Sequence, residues 1–170
     1  MDQAGELPVV AGERGRRDFK DFYESESARL LRALYLLTGD HEEAEDLMQE
    51  SMARACERWH RVQAMESPGG YAYRTAVNLN RKRIRRLARP PRALTPSVHE
   101  SANDVEARSD LRRALATLPE GQRSALILVE WWGMGTREAA SVLGVKEVSI
   151  RSRLHRAKVA LRQELGGIDV

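Results

Sequence analysis

The sequence predicts an all-α fold of two small helical domains joined by a flexible linker, the C-terminal domain being a helix-turn-helix. Apolar residues recur at helical spacing over most of the chain, and no apolar/polar alternation of period two is bounded by turns. Leu, Ala, Arg and Glu, which favour helices, dominate. Pro90, Pro91 and Pro96 lie in a polar segment that separates two helical parts. We expect a disordered leader at 1–17, a domain at 18–88, the linker at 89–108 and a domain at 109–166.

Length and composition limit the class of protein. A chain of 170 residues holds one ordinary domain or two small ones. The single cysteine, Cys56, excludes an internal disulfide, and its helical position predicts burial. The N-terminus has no apolar signal-like region, and no apolar run is long enough to cross a bilayer. We therefore expect a soluble, cytoplasmic protein without membrane insertion.

The first domain should open with two helices packed as an antiparallel hairpin. The first begins near Asp18 and ends at Gly39, a good C-cap residue. In the second, Asp40 is an N-cap and Glu43 completes a capping box. Its predicted inner face is Ala44, Leu47, Met48, Ser51, Met52, Ala55, Cys56 and Trp59, and its outer face is Glu42, Asp46, Gln49, Ala53 and Glu57. On the pattern alone, the acidic outer face is usually a solvated surface.

A predicted loop at 60–70 leads into a basic helix at about 71–86, YAYRTAVNLNRKRIRR. Its predicted inner side is Tyr73, Ala76, Val77, Asn80 and Ile84. Its basic residues are Arg74, Arg81, Lys82, Arg83, Arg85 and Arg86, and no acidic residue occurs between Glu66 and Glu100. Such a stripe attracts phosphates and its aromatic residues can stack on unpaired bases. The alternative is a solvated basic end that suits the helix dipole.

The second domain carries the helix-turn-helix pattern. A short helix stops before Pro119, and a very apolar helix is predicted over 120–132. TREAASVL then forms a short helix, Gly144 makes the turn, and a second helix follows. The second helix should bury Val148, Leu154, Ala157, Leu161 and, in part, Ile150, and it should display Arg151, Ser152, His155, Arg156 and Lys158. Arginine can bridge guanine O6 and N7, although a surface histidine is more often idle than a base reader.

Three segments carry a resemblance to one family. They are DHEEAEDLMQE, YAYRTAVNLNRKRIRR and LPEGQRSALILVEWWGMGTREAASVLGVKEVSIRSRLHRAKVALRQ. In this order they resemble the polymerase-docking helix, the −10-reading helix and the −35-reading domain of extracytoplasmic-function (group IV) sigma factors of the sigma-70 family. The resemblance covers roughly 18–86 and 109–165.

The resemblance implies a transcription-initiation function that is typical of stress responses. The partners would be core RNA polymerase, through the clamp helices of its largest subunit and its flap, promoter DNA, both duplex and single-stranded, and an anti-sigma factor. Polymerase binding would fall to Asp46, Gln49 and Glu50. Binding of the −10 element would fall to Val62, Gln63, Ala64, Met65, Asn78 and Arg81. Binding of the −35 element would fall to Arg151, Ser152, His155, Arg156 and Lys158.

Three positions depart from the family pattern. Lys146 is a poor N-cap where the family often has Ser, and Val148 is bulkier than the usual Gly. Val62 replaces a common aromatic residue. These departures affect the expected −35 register and the details of the base pocket, but not the fold.

The alternative function is a helix-turn-helix repressor or activator that does not bind polymerase. The acidic helix distinguishes the two, because a repressor needs no outer face of Asp46, Gln49 and Glu50. An enzyme is the least favoured class, since the sequence has no metal-ligand spacing, no phosphate-binding glycine loop and no nucleophile constellation. We therefore expect no cofactor and no metal.

Overall fold

A computed structural model describes the backbone of residues 10–87 and 102–165 and the side chains of residues 18–86 and 110–165. All regular structure in these ranges is helical, which confirms the predicted fold class. The elements are α1 (Val10–Thr38), α2 (His41–Glu57), α3 (Trp59–Val62), α4 (Pro68–Leu87), α5 (Ala102–Thr117), α6 (Glu120–Leu126), a π-helical turn (Ile127–Trp131), α7 (Thr136–Leu143) and α8 (Glu147–Glu164). The leader before residue 10 and the linker at 89–101 lie outside the described residues.

Two helices begin earlier than the sequence predicts. Helix α1 starts at Val10 instead of Asp18, and α5 starts at Ala102 instead of Ser109. Both extensions contain helix-forming Ala, Glu and Arg, and lengthening an existing helix adds one hydrogen bond per residue fixed. The loop predicted at 60–70 likewise contains α3 and the first turn of α4, with Pro68 at the favoured first helical position.

Local sequence explains the connection between α1 and α2. Gly39 has a φ of +74°, and its amide donates to the Tyr35 carbonyl at 2.8 Å. The Asp40 carboxylate then accepts from the Glu43 amide at 3.1 Å, as the predicted N-cap requires. The two helices pack against each other through buried side chains that include Leu34 and Leu47.

Three predicted inner residues are exposed. Cys56 is exposed, because the buried face of α2 passes through its neighbour Ala55 and on to Trp59. Ile84 is 46% exposed on the last turns of α4. Val148 is 66% exposed, because Ile150 takes the inward position in the first turns of α8.

The predicted helix at 120–132 becomes a π-helical turn after Leu126. The Trp132 amide donates to the Ile127 carbonyl five residues back at 2.8 Å, and Gly133 then ends the turn with a φ of +79°. The extra residue per turn leaves Trp131 39% exposed and Trp132 only 7% exposed.

The two domains pack directly against each other through one continuous apolar cluster. Trp132 lies in this interface, with its ring 5.7 Å from that of Tyr73 in an edge-on arrangement. The Arg29 guanidinium lies over the same indole at 4.9 Å and donates to the Trp132 carbonyl. Burial raises the pKa of the Tyr73 hydroxyl above its usual value.

Candidate nucleic-acid interface

The acidic face of α2 is solvent-exposed and partly organised by α4. Asp46, Gln49 and Glu50 are all exposed. Arg83 of α4 approaches Asp46 (Nη1 to Oδ2, 3.5 Å), and Arg54 pairs with Glu50 (Nη2 to Oε1, 2.6 Å). The Asp46 side chain is still 69% exposed, so its carboxylate remains open to an outside partner. A groove runs between this face of α2 and helix α4, and Lys82, Arg83 and Arg86 of α4 line its opposite wall.

The turn after α3 presents only part of the predicted base pocket. Gln63, Ala64 and Met65 are exposed. Val62 is completely buried in a small apolar cluster with Ala55 and Trp59. Val62 therefore lies beneath the turn, and the assignment of residues 62–65 to a −10 base pocket stays a prediction.

A basic cleft of about 570 Å³ lies between α2, α4 and α7. Its basic lining residues are Arg54, Arg58, Arg74 and Lys82, and it also includes the predicted site residues Met65 and Asn78. Helix α7 of the second domain forms one wall through Glu138, Ser141 and Val142. The cleft therefore places positive charge beside the exposed side-chain amide of Asn78, and α7 of the second domain narrows it.

Arg81 is held by the second domain. Its Nε donates to Glu120 Oε2 at 2.9 Å, and its Nη2 donates to Glu120 Oε1 at 2.8 Å. This fork–fork pair is the strong geometry for Arg and carboxylate, and it raises the pKa of Arg81 above its usual value. Glu120 is the first residue of α6 and directly follows the N-cap residue Pro119. The pair therefore occupies the Nε–Nη2 edge of Arg81 and ties this side chain to the second domain.

The outer face of α8 brings together four of the five predicted −35 residues: Arg151, Ser152, His155 and Arg156, all exposed. Lys158 instead lies on the flank of the helix and pairs with Glu130 (Nζ to Oε1, 2.9 Å). Gly144 makes the predicted turn with a φ of +65°, which a residue with a side chain rarely adopts.

Glu147 is a polar residue of this face that the sequence analysis missed. Its Oε1 accepts from Thr136 Oγ1 at 2.7 Å and from Arg151 Nη2 at 2.7 Å. The hydrogen bond from Thr136, and then that from Arg151, lower the pKa of Glu147. The i, i+4 spacing of Glu147 and Arg151 was a usable sequence signal, whereas nothing local pointed to Thr136.

Comparison with known proteins now decides the family. The profile of "Sigma-70 region 2" matches residues 22–90, and that of "Sigma-70, region 4" matches residues 108–161. The RNA polymerase sigma-E factor of Streptomyces coelicolor is 32% identical over 157 residues, which cover 90% of this chain and 89% of that protein. The ECF RNA polymerase sigma factor SigM of Mycobacterium tuberculosis is 30% identical over 94% of this chain and 82% of its own length. The chain belongs to the extracytoplasmic-function sigma factors.

Solved structures agree with this family. The sigma factor RpoE of Bartonella quintana, in complex with the anti-sigma factor NepR, matches with a TM-score of 0.70 at 26% identity over 88% of this chain and 98% of that one. CnrH, in complex with the cytosolic domain of CnrY, has the same fold, with a TM-score of 0.65 at 23% identity over 95% of this chain and 97% of that one.

Family membership confirms the predicted function. This sigma factor directs core RNA polymerase to promoters, and the comparisons give no support to the repressor alternative. Among the residues whose structure is described, no helix is long and apolar enough to span a bilayer. In the same ranges, no group of three or more His, Cys, Asp or Glu side chains is placed to hold a metal ion.

Proposed function

We propose that this sigma factor uses three separate surfaces: the outer face of α2 for core polymerase, the basic cleft for the unpaired −10 strand, and the outer face of α8 for the −35 duplex. It acts in the cytoplasm, where polymerase and chromosome are. It supplies binding energy and no bond-making chemistry, because each surface offers charge and hydrogen bonds and none presents an activated nucleophile.

The polymerase surface rests on exposure and charge. Asp46, Gln49 and Glu50 are exposed on one face of α2, and the carboxylates of Asp46 and Glu50 lie beside the exposed Arg83 and Arg54. Such a face suits a basic partner helix, such as the polymerase clamp, because a carboxylate binds Arg through paired, charge-assisted hydrogen bonds.

The −10 surface rests on the cleft. Its basic side chains suit a phosphate backbone, and the exposed Gln63, Met65 and Asn78 can meet an unpaired base. Arg81 joins this surface only after it separates from Glu120. That ion pair is the observation that carries the proposal, because it joins a predicted −10 residue to the second domain.

Geometry requires the two domains to separate on a promoter. The −10 and −35 elements lie about 25 base pairs apart, or about 85 Å at the rise of duplex DNA. A compact chain of 170 residues has a radius of gyration of about 15 Å, so it is about 40 Å across. The docked form therefore cannot hold both elements at once, and we propose that it is the resting form of the free protein.

The same packing suggests how a partner controls this protein. The solved relatives RpoE and CnrH are described as complexes with an anti-sigma factor and with the cytosolic domain of CnrY, respectively. We propose that an anti-sigma factor binds this chain as well and favours the docked form, because in that form Glu120 holds Arg81 and α7 narrows the basic cleft.

Energy transfer between two fluorophores tests the separation. Cys56 is the only cysteine and is exposed on α2, and Glu164→Cys adds a second exposed thiol at the end of α8. We expect high transfer in the free protein and low transfer once core polymerase and a cognate promoter are added. A control pair within one domain, Cys56 and Glu24→Cys, should not change. High transfer in the promoter complex would refute the proposed separation.

A further inference from the structure

We propose that Glu147 is a positioning residue that holds Arg151 in the orientation needed to read a guanine of the −35 element. This inference rests on the proposed binding of that element by α8. Glu147 itself need not touch DNA, because its effect passes through the Arg151 guanidinium.

The Glu147 carboxylate is fixed by a second helix. The N-cap residues of α7 and α8, Gly135 and Lys146, make no side-chain capping hydrogen bond. The hydrogen bond from Thr136 Oγ1 to Glu147 Oε1, at 2.7 Å, instead joins the first residue of α7 to the first residue of α8. Glu147 is only 31% exposed, and its negative charge suits a helix N-terminus. The carboxylate is therefore a more rigid anchor than an ordinary surface glutamate.

Arg151 is attached to this anchor and would otherwise be free in solvent. Its side chain is 68% exposed, and its Nη2 donates to the same Glu147 Oε1 at 2.7 Å. A long exposed side chain loses rotamer freedom when it binds, which weakens binding by about two- to tenfold. The contact with Glu147 orders Arg151 before DNA arrives, and thus removes part of this loss.

The contact leaves the reading atoms available. A guanidinium has five N–H donors on two forked edges, Nε with Nη2 and Nη1 with Nη2. The bond to Glu147 uses only one Nη2 hydrogen, so one complete edge remains for a base. Arg151 lies near the N-terminal end of α8, the end of a recognition helix that reaches the base edges. A two-point contact with guanine O6 and N7 is the commonest base-specific contact of arginine.

The Glu147 charge should affect DNA binding in two opposite ways, through repulsion of phosphates and through placement of Arg151, and an experiment can separate them. A carboxylate near DNA repels phosphates, so its neutralisation should strengthen binding to any duplex. Loss of the anchor should at the same time weaken the preference for guanine at the one position that Arg151 reads. A residue that only stabilised the fold would weaken both kinds of binding together.

The experiment selects duplexes from a pool with a randomised −35 window, using polymerase reconstituted with the full-length protein, and sequences the bound fraction. Arg151→Ala identifies the position that Arg151 reads. Glu147→Gln removes the charge, and Thr136→Val removes the hydroxyl that anchors it. Glu164→Gln makes the same charge change at the exposed far end of α8 and serves as the matched control.

We expect Glu147→Gln to lower the guanine preference at the Arg151 position by about two- to tenfold, with the other positions unchanged and affinity for unrelated duplex increased. Thr136→Val should relax the same position to a smaller extent. Glu164→Gln should change no preference. An unchanged preference in Glu147→Gln, or a uniform loss at all positions, would overturn the role of Glu147 and leave the −35 surface intact. If Arg151→Ala also changed no preference, the assignment of Arg151 to the −35 element would fail with it.

Discussion

Neutralisation of Glu120 should release the second domain and increase the affinity of this sigma factor for the −10 strand. In Glu120→Gln the fork to Arg81 loses its charge, while α6 keeps a side chain of the same shape. Charge-assisted pairs contribute about 1.5–3 kcal/mol when they are well shielded from water. The two side chains are 38% and 30% exposed, so we reduce this to about 1 kcal/mol.

A change of about 1 kcal/mol raises the open population about fivefold. When the open form is rare, the apparent affinity for DNA rises by the same factor, because affinity is proportional to the binding-competent fraction. We would measure the open population by energy transfer between labels on Cys56 and Glu164→Cys. We would measure affinity with a labelled single-stranded oligonucleotide that carries the −10 sequence selected by the holoenzyme.

Glu138→Gln is the matched control. Glu138 lies on α7 of the same domain as Glu120, lines the basic cleft, and carries the same charge. Its neutralisation should change DNA affinity by less than about twofold, through general electrostatics alone. The reasoning is refuted if Glu120→Gln changes neither quantity, or if Glu138→Gln increases affinity as much as Glu120→Gln does.

Three further predictions follow from buried or charged groups. Trp132→Ala should lower the free energy of unfolding by about 3–5 kcal/mol, because Trp132 is only 7% exposed in the domain interface. It should also separate the unfolding transitions of the two domains in urea. The control Trp131→Ala, at an exposed position, should lower the free energy of unfolding by less than about 1 kcal/mol. Val62→Ala should lower the free energy of unfolding by about 2 kcal/mol without a specific effect on −10 binding. Gln63→Ala should weaken −10 binding at unchanged stability. The opposite pattern would identify Val62 as a residue that contacts DNA. The pKa of Glu147 is lowered in the folded protein, so its contribution to the −35 preference should be complete at neutral pH. That contribution should be lost only as the pH falls through the lowered pKa, and the −35 preference measured at pH 6, 7 and 8 should therefore be constant. A loss of preference between pH 8 and 6 would assign it to a histidine.

Features that depend on neighbouring residues were predictable from the sequence. The Asp40 cap with its Glu43 partner and the turns at Gly39 and Gly144 involve a few adjacent residues, and each residue type has one strong backbone preference. Helical periodicity also placed most buried residues correctly. Periodicity failed at the edges of the buried faces, as at Cys56 and Val148, because a small rotation of the helix about its axis decides whether such a residue is buried or exposed.

Features that join distant parts of the chain were not predictable. The pair of Arg81 with Glu120 joins residues 39 positions apart, and the packing of Tyr73 on Trp132 needs both domains to be placed. The π-helical turn before Trp132 was not predictable either, because an apolar run alone is equally compatible with a continuous α-helix. The sequence therefore predicted the residues of each surface, but not the narrowing of the basic cleft by α7.

The central claim is that the exposed acidic face of α2 binds core RNA polymerase, and co-elution from a sizing column tests it most directly. The wild-type protein should elute with core polymerase, and the double variant Asp46→Arg/Glu50→Arg should not. The control Glu24→Arg/Glu164→Arg makes the same charge change at exposed positions on α1 and α8 and should co-elute like the wild type. Circular dichroism should confirm that all three proteins are folded. Co-elution of the Asp46→Arg/Glu50→Arg variant at the wild-type level would contradict the assignment of this face to polymerase.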